Sequence, residues 1–277
     1  MTVEKTDVAK MPESISFDEA ASIPLPPNFL PQHPFDNGEM VIRDEQLLKW
    51  PRPEADVKEM LSEYYRYVSF LDVQVGRILD AVDASPYAAN TIVVYAADSG
   101  VARGSHGLIG KQNLYEHSVR VPLIIAGPGV KAGQVRDELV SMVDIMPTIA
   151  RLAGAKMPVN TAHYSGMDLT PLLRGEQVAW RQYLFTEENF HTPELWTPVR
   201  AVTDGRWKLI DHLARGDVPE QIQLFDLVKD PGEQVNLVNR PMRRADRERL
   251  LAELMQWRVR TADPLLDPAV FRQWDQI

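Results

Sequence analysis

The side chains able to do chemistry crowd one stretch of the chain, TIVVYAADSGVARGSHGLIGKQNLYEHSVRVPLIIAG, from Thr91 to Gly127. Asp98 closes an apolar run, Ile92 to Ala97. Ser99, Gly100, Arg103, Gly104, Ser105, His106, Gly107, Gly110, Lys111 and Glu116 follow before the chain turns apolar again at Val119. Reactive side chains at the carboxyl ends of short buried strands are how open α/β sheets build sites. Taken singly, each has an ordinary role as well. An Asp after a strand caps the turn. Lys111 on its own is a solvated lysine. His106 either orders the loop or lines a cleft, and Glu116 and Arg120 are expected to hold the loop through an ion pair or hydrogen bonds.

The elements that must position this loop are legible on both sides of it. From Glu54 to Val82, apolar residues Val57, Leu61, Tyr64, Val68, Leu71, Val75, Ile78 and Val82 recur at steps of four and three, which predicts one helix packed on a sheet. TIVVYAAD reads as a strand buried on both faces of a parallel sheet, and VRVPLIIAGPG as a second strand closed by a Gly-Pro-Gly turn. SMVDIMPTIARLAGA predicts a helix ending at Gly154, and Leu169 to Leu173 a short helical turn stopped by Gly175. Beyond Arg181, YLFTEEN, PVRAVTDGRWKLID and IQLFDLV are short strand-like runs with an Asp204-Gly205 hairpin signal, so a small antiparallel sheet is expected. A last helix runs from Met242 to Arg260 with Leu250, Leu251, Leu254 and Trp257 on one face. The prolines of residues 1–55 forbid a helix there, and the apolar residues between them argue for an extended segment docked on something larger. The domain organisation read this way is 1–55 as lead-in, 56–180 as core and 181–277 as a C-terminal α+β subdomain.

Composition narrows the function classes. The chain has 277 residues, 44% hydrophobic and 25% charged, the proportions of a globular domain with a real core. Its net charge of -9 argues against nucleic acid as a partner. An anionic substrate would have to be held by a local positive cluster or a metal. With 0 cysteines, disulfides, thiolate nucleophiles and zinc-thiolate sites are excluded. MTVEKTDVAKMPESI has no signal-peptide pattern, and no apolar run approaches the ~20 residues of a membrane helix. The compartment stays undetermined.

DSGVARGSHGLIGKQNLYEHSVRVPLIIAGPG resembles the central motif of the sulfatases, in the alkaline-phosphatase superfamily. YYRYVSFLDVQVGRILDAV and NTIVV resemble the helix and strand leading into it. VDIMPTIARLAGAKMP, SGMDLTPLL, RAVTDGRWKLI and LFDLVKDPGEQVNL resemble segments that follow. IPLPPNFLPQHPFDNGE is similar to the lead-in of iduronate-sulfatase-like members. The resemblance implies an α/β fold: an incomplete alkaline-phosphatase-like, mostly parallel sheet flanked by helices, with a small C-terminal antiparallel sheet plus helix. It also implies hydrolysis of sulfate esters by a formylglycine nucleophile, organised by calcium. Oxygen ligands suit that ion, which offsets charge on the transferring group. On the motif, Asp98 falls on a metal-ligand aspartate. Ser99 falls on the next ligand position, usually Asn or His, where a neutral hydroxyl leaves direct coordination, a water-mediated contact or a weakened metal site open. Lys111 falls on the lysine that contacts the sulfate, and His106 lies beside it in the loop.

Parts of that family's catalytic set are not in this sequence. No Cys occurs, no Ser sits in S-x-P-x-R (Ser22-Ile23-Pro24-Leu25-Pro26 lacks the arginine), and no two aspartates are adjacent. Formylglycine therefore cannot form here. The chain reads as the second half of a sulfatase, expected to be inactive alone and to need a partner chain or oligomer over an exposed sheet edge. Two other functions remain in view: a non-catalytic remnant that binds a sulfated glycan or a subunit, and a phosphodiesterase or phosphonate hydrolase of the same superfamily.

Overall fold

A computed structural model of the chain describes residues 22–36, 42–155, 165–192, 195–214, 219–267 and 269. Residues 1–21 of the proline-rich segment, and His163, lie outside the described residues. The chain divides into two compact units between which it alternates. The first takes Met1–Ile23, Glu59–Asp98 and Val121–Arg181, the second Pro24–Lys58, Ser99–Arg120 and Gln182–Ile277.

Helix α1 (Glu54–Asp83) starts directly after Pro53, with Glu54 and Asp56 in its first turn, where carboxylates complement the helix dipole. The period predicted from sequence is present, but burial fades along it. Val57 and Leu61 are buried, whereas Val68, Leu71 and Ile78 are 39%, 43% and 64% exposed. An apolar stripe specifies a face and says nothing of what covers it.

In the first unit, β1 (Val93–Ala96) pairs with β2 (Leu123–Ala126), Val93 opposite Ala126 and Ala96 opposite Leu123. The two strands are antiparallel. The loop after β1 and the one-turn helix α2 (Glu116–Val119) return the chain alongside β1 in the opposite direction. The burial on both faces expected of TIVVYAAD is not found, with Tyr95 of β1 and Ile124 of β2 48% and 43% exposed, and an apolar run carries no strand direction. Ile125 packs with Leu169, Leu172, Val94, Leu152 and Trp180, which places α3 (Ile145–Leu152) and α4 (Thr170–Leu173) against the pair. Asp144 ties this layer together from a fully buried position. Its carboxylate accepts from the amides of Ser141 and Met167, both at 2.7 Å, and from Arg181 Nη2 at 2.6 Å.

The second unit contains the expected antiparallel sheet, in the order β3 (Leu184–Thr192), β4 (Leu195–Thr203), β5 (Trp207–His212) and β6 (Gln221–Asp226). The β4–β5 turn is the Asp204-Gly205 signal. Gly205 takes φ 88° there, and Asp204 Oδ1 accepts from the amides of Arg206 and Trp207. Strand alternation sorts the two faces. Val202, Leu209 and Leu224 pack on Leu250 and Leu254 of α5 (Arg244–Arg260). The other face offers Val199, Ala201, Ile210 and Phe225, and it is covered by Ala102, Leu108, Leu114 and Tyr115. The loop that carries the candidate chemistry is thus the second layer of this sheet. Asp263 closes the end of α5 by accepting from Arg200 Nε at 2.9 Å and Arg258 Nε at 2.7 Å. Burial works against its charge, but those guanidinium bonds hold its carboxyl down at about 2.

Candidate functional site

The loop after β1 folds on itself before it meets anything else. Ala102 N donates to Gly110 O at 2.9 Å and Gly104 N to Leu108 O at 2.7 Å, while Gly100 N donates to Ser118 O at 2.8 Å across the base. Arg103 and His106 adopt positive φ of 49° and 54°, a conformation uncommon outside glycine and frequent at functional turns. Two glycines are required by space. A Cβ on Gly107 would stand 2.3 Å from the Gln32 carbonyl carbon, and one on Gly100 would stand 1.9 Å from the His117 carbonyl oxygen.

Residues 28–33 of the proline-rich segment lie against this loop within the second unit. His106 N donates to Asn28 O at 2.8 Å, Leu30 N to Gly104 O at 3.4 Å, and Phe29 bridges to Ser105. His106 is buried, stacked on Tyr115 with ring centroids 4.0 Å apart, and its Nε2 donates to Glu233 O at 3.0 Å. Burial lowers its pKa, the Glu233 carbonyl opposes that shift, and the charge of Lys208 adds to it. Burial thus favours the neutral imidazole, and among the described residues Nδ1 has no hydrogen-bond partner. A cavity of about 390 Å³ opens beside it, lined by Phe29, Phe35, His106, Tyr115 and Gln223 among others.

Two histidines without motif context prove to be core residues of the same layer. His33 donates from Nδ1 to Phe35 O at 2.6 Å and faces the Tyr115 hydroxyl with Nε2 at 3.1 Å. Tyr115 in turn meets Gln223 at 2.8 Å, and His212 Nε2 stands 3.2 Å from the same amide. Burial takes His33 down to about 4 and His212 to about 3.

Of the residues singled out from sequence, Asp98 lies just beyond β1 in the first unit and is exposed. Ser99, His106 and Lys111 belong to the second unit, half-buried, buried and exposed in turn. Glu116 does hold the loop: its carbonyl accepts from the amide of the exposed Arg120 at 2.9 Å, while its carboxylate turns to another cation. That partner is Lys208 of β5, at 2.9 Å, and Lys208 also reaches Glu233 Oε1 at 2.8 Å. Glu233 Oε2 accepts from the Glu116 amide at 2.6 Å. Burial raises the Glu233 carboxyl pKa, and Lys208 opposes the shift. No local pattern points from Glu116 to a lysine in a distant strand, so this triad was invisible in the sequence. So was Glu45, a buried carboxylate that binds the loop backbone at Ile109 and Gly110.

Among the described residues, no three His, Asp or Glu side chains come together in a group able to hold a metal ion. Asp98 and Ser99 by themselves supply too few oxygen ligands for a calcium ion.

Comparison with known proteins bears on this loop directly. The Sulfatase family model matches residues 17–155, and the model for the C-terminal region of N-sulphoglucosamine sulphohydrolase matches residues 104–260. The choline-sulfatase of Rhizobium meliloti is 31% identical over 225 residues, covering 80% of this chain and 42% of that protein. A 2-O GAG sulfatase structure superposes with a TM-score of 0.77 at 28% identity, covering 90% of this chain and 56% of the other. A phosphonate monoester hydrolase from Silicibacter pomeroyi superposes with a TM-score of 0.71 at 26% identity, over 87% and 51% of the two chains. The chain spans less than half the length of the curated relatives it matches, 42% and 46% for two of them. The likeness is to an alkaline-phosphatase-like fold in each superposition.

Proposed function

The chain belongs to the sulfatase family, and from that premise we propose that it carries the sulfate-contact side of a sulfuric ester hydrolase site without the nucleophile. In this reading Lys111 contacts the sulfate. Asp98 is one oxygen ligand of the calcium typical of such hydrolases, and Ser99 occupies the adjoining ligand position through its hydroxyl or a water. His106 holds the loop that presents Lys111. The observation that carries the reading is the motif from Asp98 to Gly127, which departs from the family at Ser99 and lies within the residues matched by the Sulfatase model. A single carboxylate does not strip calcium of its water, so the remaining ligands must come from outside this chain.

The nucleophile decides activity. With no Cys in the chain and no S-x-P-x-R, the covalent step has no attacking group. We therefore read the 277-residue chain as inactive by itself and completed by a polypeptide bearing C/S-x-P-x-R and the paired aspartates. Likeness to a 2-O GAG sulfatase supports a sulfated saccharide as the substrate class. The test is to assay the purified chain with 4-nitrophenyl sulfate and a sulfated disaccharide, alone and with an N-terminal sulfatase half carrying the nucleophile. No turnover alone is expected, with turnover on addition of that half that is lost in Asp98→Ala or Lys111→Ala. Turnover by the chain alone, lost in the same variants, sinks the proposal. Binding of a sulfated oligosaccharide without turnover under any pairing favours a non-catalytic binding role.

A second reading has its own support. The Silicibacter pomeroyi structure is a phosphonate monoester hydrolase, and one scaffold hosts several chemistries. Preferential turnover of an aryl phosphonate monoester by the completed enzyme would select it.

A further inference from the structure

We infer that Glu45 is the positioning residue for Lys111, an inference that rests on Lys111 being the anion contact. Glu45 sits in a single 3-10 turn, Arg43–Leu47, and is 3% exposed. Its carboxylate is spent on the loop. Oε2 accepts from Ile109 N at 2.9 Å and Oε1 from Gly110 N at 2.6 Å, the two amides that directly precede Lys111. Two consecutive N–H groups bound to one carboxylate fix the peptide plane between them, and with it the direction in which the next residue leaves the loop. Charge-assisted bonds of this kind are roughly twice as strong as neutral ones.

The same short segment grips the loop on either side. Arg52 Nη2 donates to Glu45 Oε2 at 2.7 Å and to the Glu45 carbonyl at 3.0 Å, and its Nη1 donates to Gly107 O. Trp50 Nε1 donates to that Gly107 carbonyl at 3.0 Å. Beyond Lys111, Gln112 Nε2 donates to Asp44 Oδ2 at 3.0 Å. A Cβ at position 110 would stand 2.9 Å from Glu45 Oε1 and 2.6 Å from Gln112 Oε1, so a side chain there would have to displace both of these ends. Lys111 itself stays exposed between these anchors. A clasp that holds residues 107, 109, 110 and 112 while leaving 111 open suits a side chain that must meet a ligand from a fixed direction. Glutamine cannot replace the carboxylate. One of its two terminal atoms is a donor facing donors, and the Arg52 charge, 1% exposed, would lose its counterion.

The test uses the full chain labelled with ¹⁵N, as wild type, Glu45→Gln, Glu45→Asp and Lys111→Ala. Amide hydrogen exchange is read at Ile109 and Gly110, and inorganic sulfate is titrated while the Lys111 and Gln112 amides are followed. In Glu45→Gln, exchange at Ile109 and Gly110 should accelerate about tenfold, the loss of one net hydrogen bond. Sulfate affinity should fall by a similar factor, and exchange in β4 and β5 should stay as in wild type. Glu45→Asp keeps the charge for Arg52, so it should fold even if Glu45→Gln does not, and it should recover part of both effects. Wild-type exchange at Ile109 and Gly110 in the folded variants overturns the role of Glu45 and leaves the Lys111 contact standing. A wild-type chain whose Lys111 and Gln112 amides ignore sulfate, or a Lys111→Ala chain that binds it unchanged, overturns the Lys111 contact instead. The exchange measurement then still decides whether Glu45 sets the loop.

Discussion

At the scale of single residues, Asp98 and Lys111 are exposed, so neither contributes much to folding. Ala at either position should leave the unfolding free energy from urea titration within about 0.5 kcal/mol of wild type, while on the proposed reading Lys111→Ala should abolish sulfate-induced shifts. The buried ionisable groups behave in the opposite way and pull pH dependence in two directions. Burial, helped by the charge of Glu220, raises Asp211 to about 7. A carboxyl raised in the folded state contributes stability below its unfolded value, about 4, and loses it as pH rises through about 7. Asp211→Asn should therefore raise the unfolding midpoint at pH 8 and not at pH 4, and an unchanged pH 8 midpoint would contradict the assignment. His33 and His212, held down to about 4 and about 3 by burial, have the reverse sign. The stability they leave intact above about 6.5 is lost as pH falls toward 4. His33→Gln should flatten that acid limb in a urea series from pH 7 to pH 4.

At the scale of elements, the sheet and α5 are where mutation should cost most. Leu250 is fully buried between the sheet and the helix, and Leu250→Ala should lose roughly 2–5 kcal/mol. Asp263→Ala removes the carboxylate shared by the buried Arg200 and Arg258, leaving Arg200 with the half-exposed Glu187 at 3.5 Å, and should lose about 3–5 kcal/mol. Chemical denaturation of each variant measures both. These elements were also the legible ones. YLFTEEN, WKLID and QLFD announce strands through β-branched and aromatic runs, Asp204-Gly205 announces its turn, and Leu250, Leu251, Leu254 and Trp257 announce a helix face. What could not be read was everything set by distant pairing. The apolar runs of β1 and β2 do not encode that they lie antiparallel. Glu116 does not encode that its partner is Lys208, 92 residues on. The candidate site was legible as a motif, Asp98 and Lys111 included, because its chemistry is packed into one loop. Its support was not, because Glu45 sits in a stretch with neither period nor motif and acts on amides 64 and 65 residues away.

At the scale of the whole molecule, two properties stand out: a family-typical loop and a set of exposed apolar side chains along α1. Along α1, Tyr67, Phe70, Val73 and Ile78 are 59%, 59%, 59% and 64% exposed. Apolar patches of this kind drive association when nothing covers them. The purified chain should bind an apolar dye and self-associate with rising concentration, and Phe70→Glu with Ile78→Glu should reduce both in light scattering. A monomer that binds no dye would contradict that expectation. The interleaving of the two units has a further consequence, for synthesis. The second unit gathers Pro24–Lys58, Ser99–Arg120 and Gln182–Ile277, so its earliest segment leaves the ribosome long before its sheet exists. Glu45 can meet its loop once residue 110 is out, but the Asn28 side-chain amide must wait for the carbonyl of Gly232, 204 residues later, to accept its hydrogen bond. Until Gln182–Ile277 emerges, the residues that brace the loop are present without the layer that buries them. That interval is when a nascent-chain chaperone would have the most to hold.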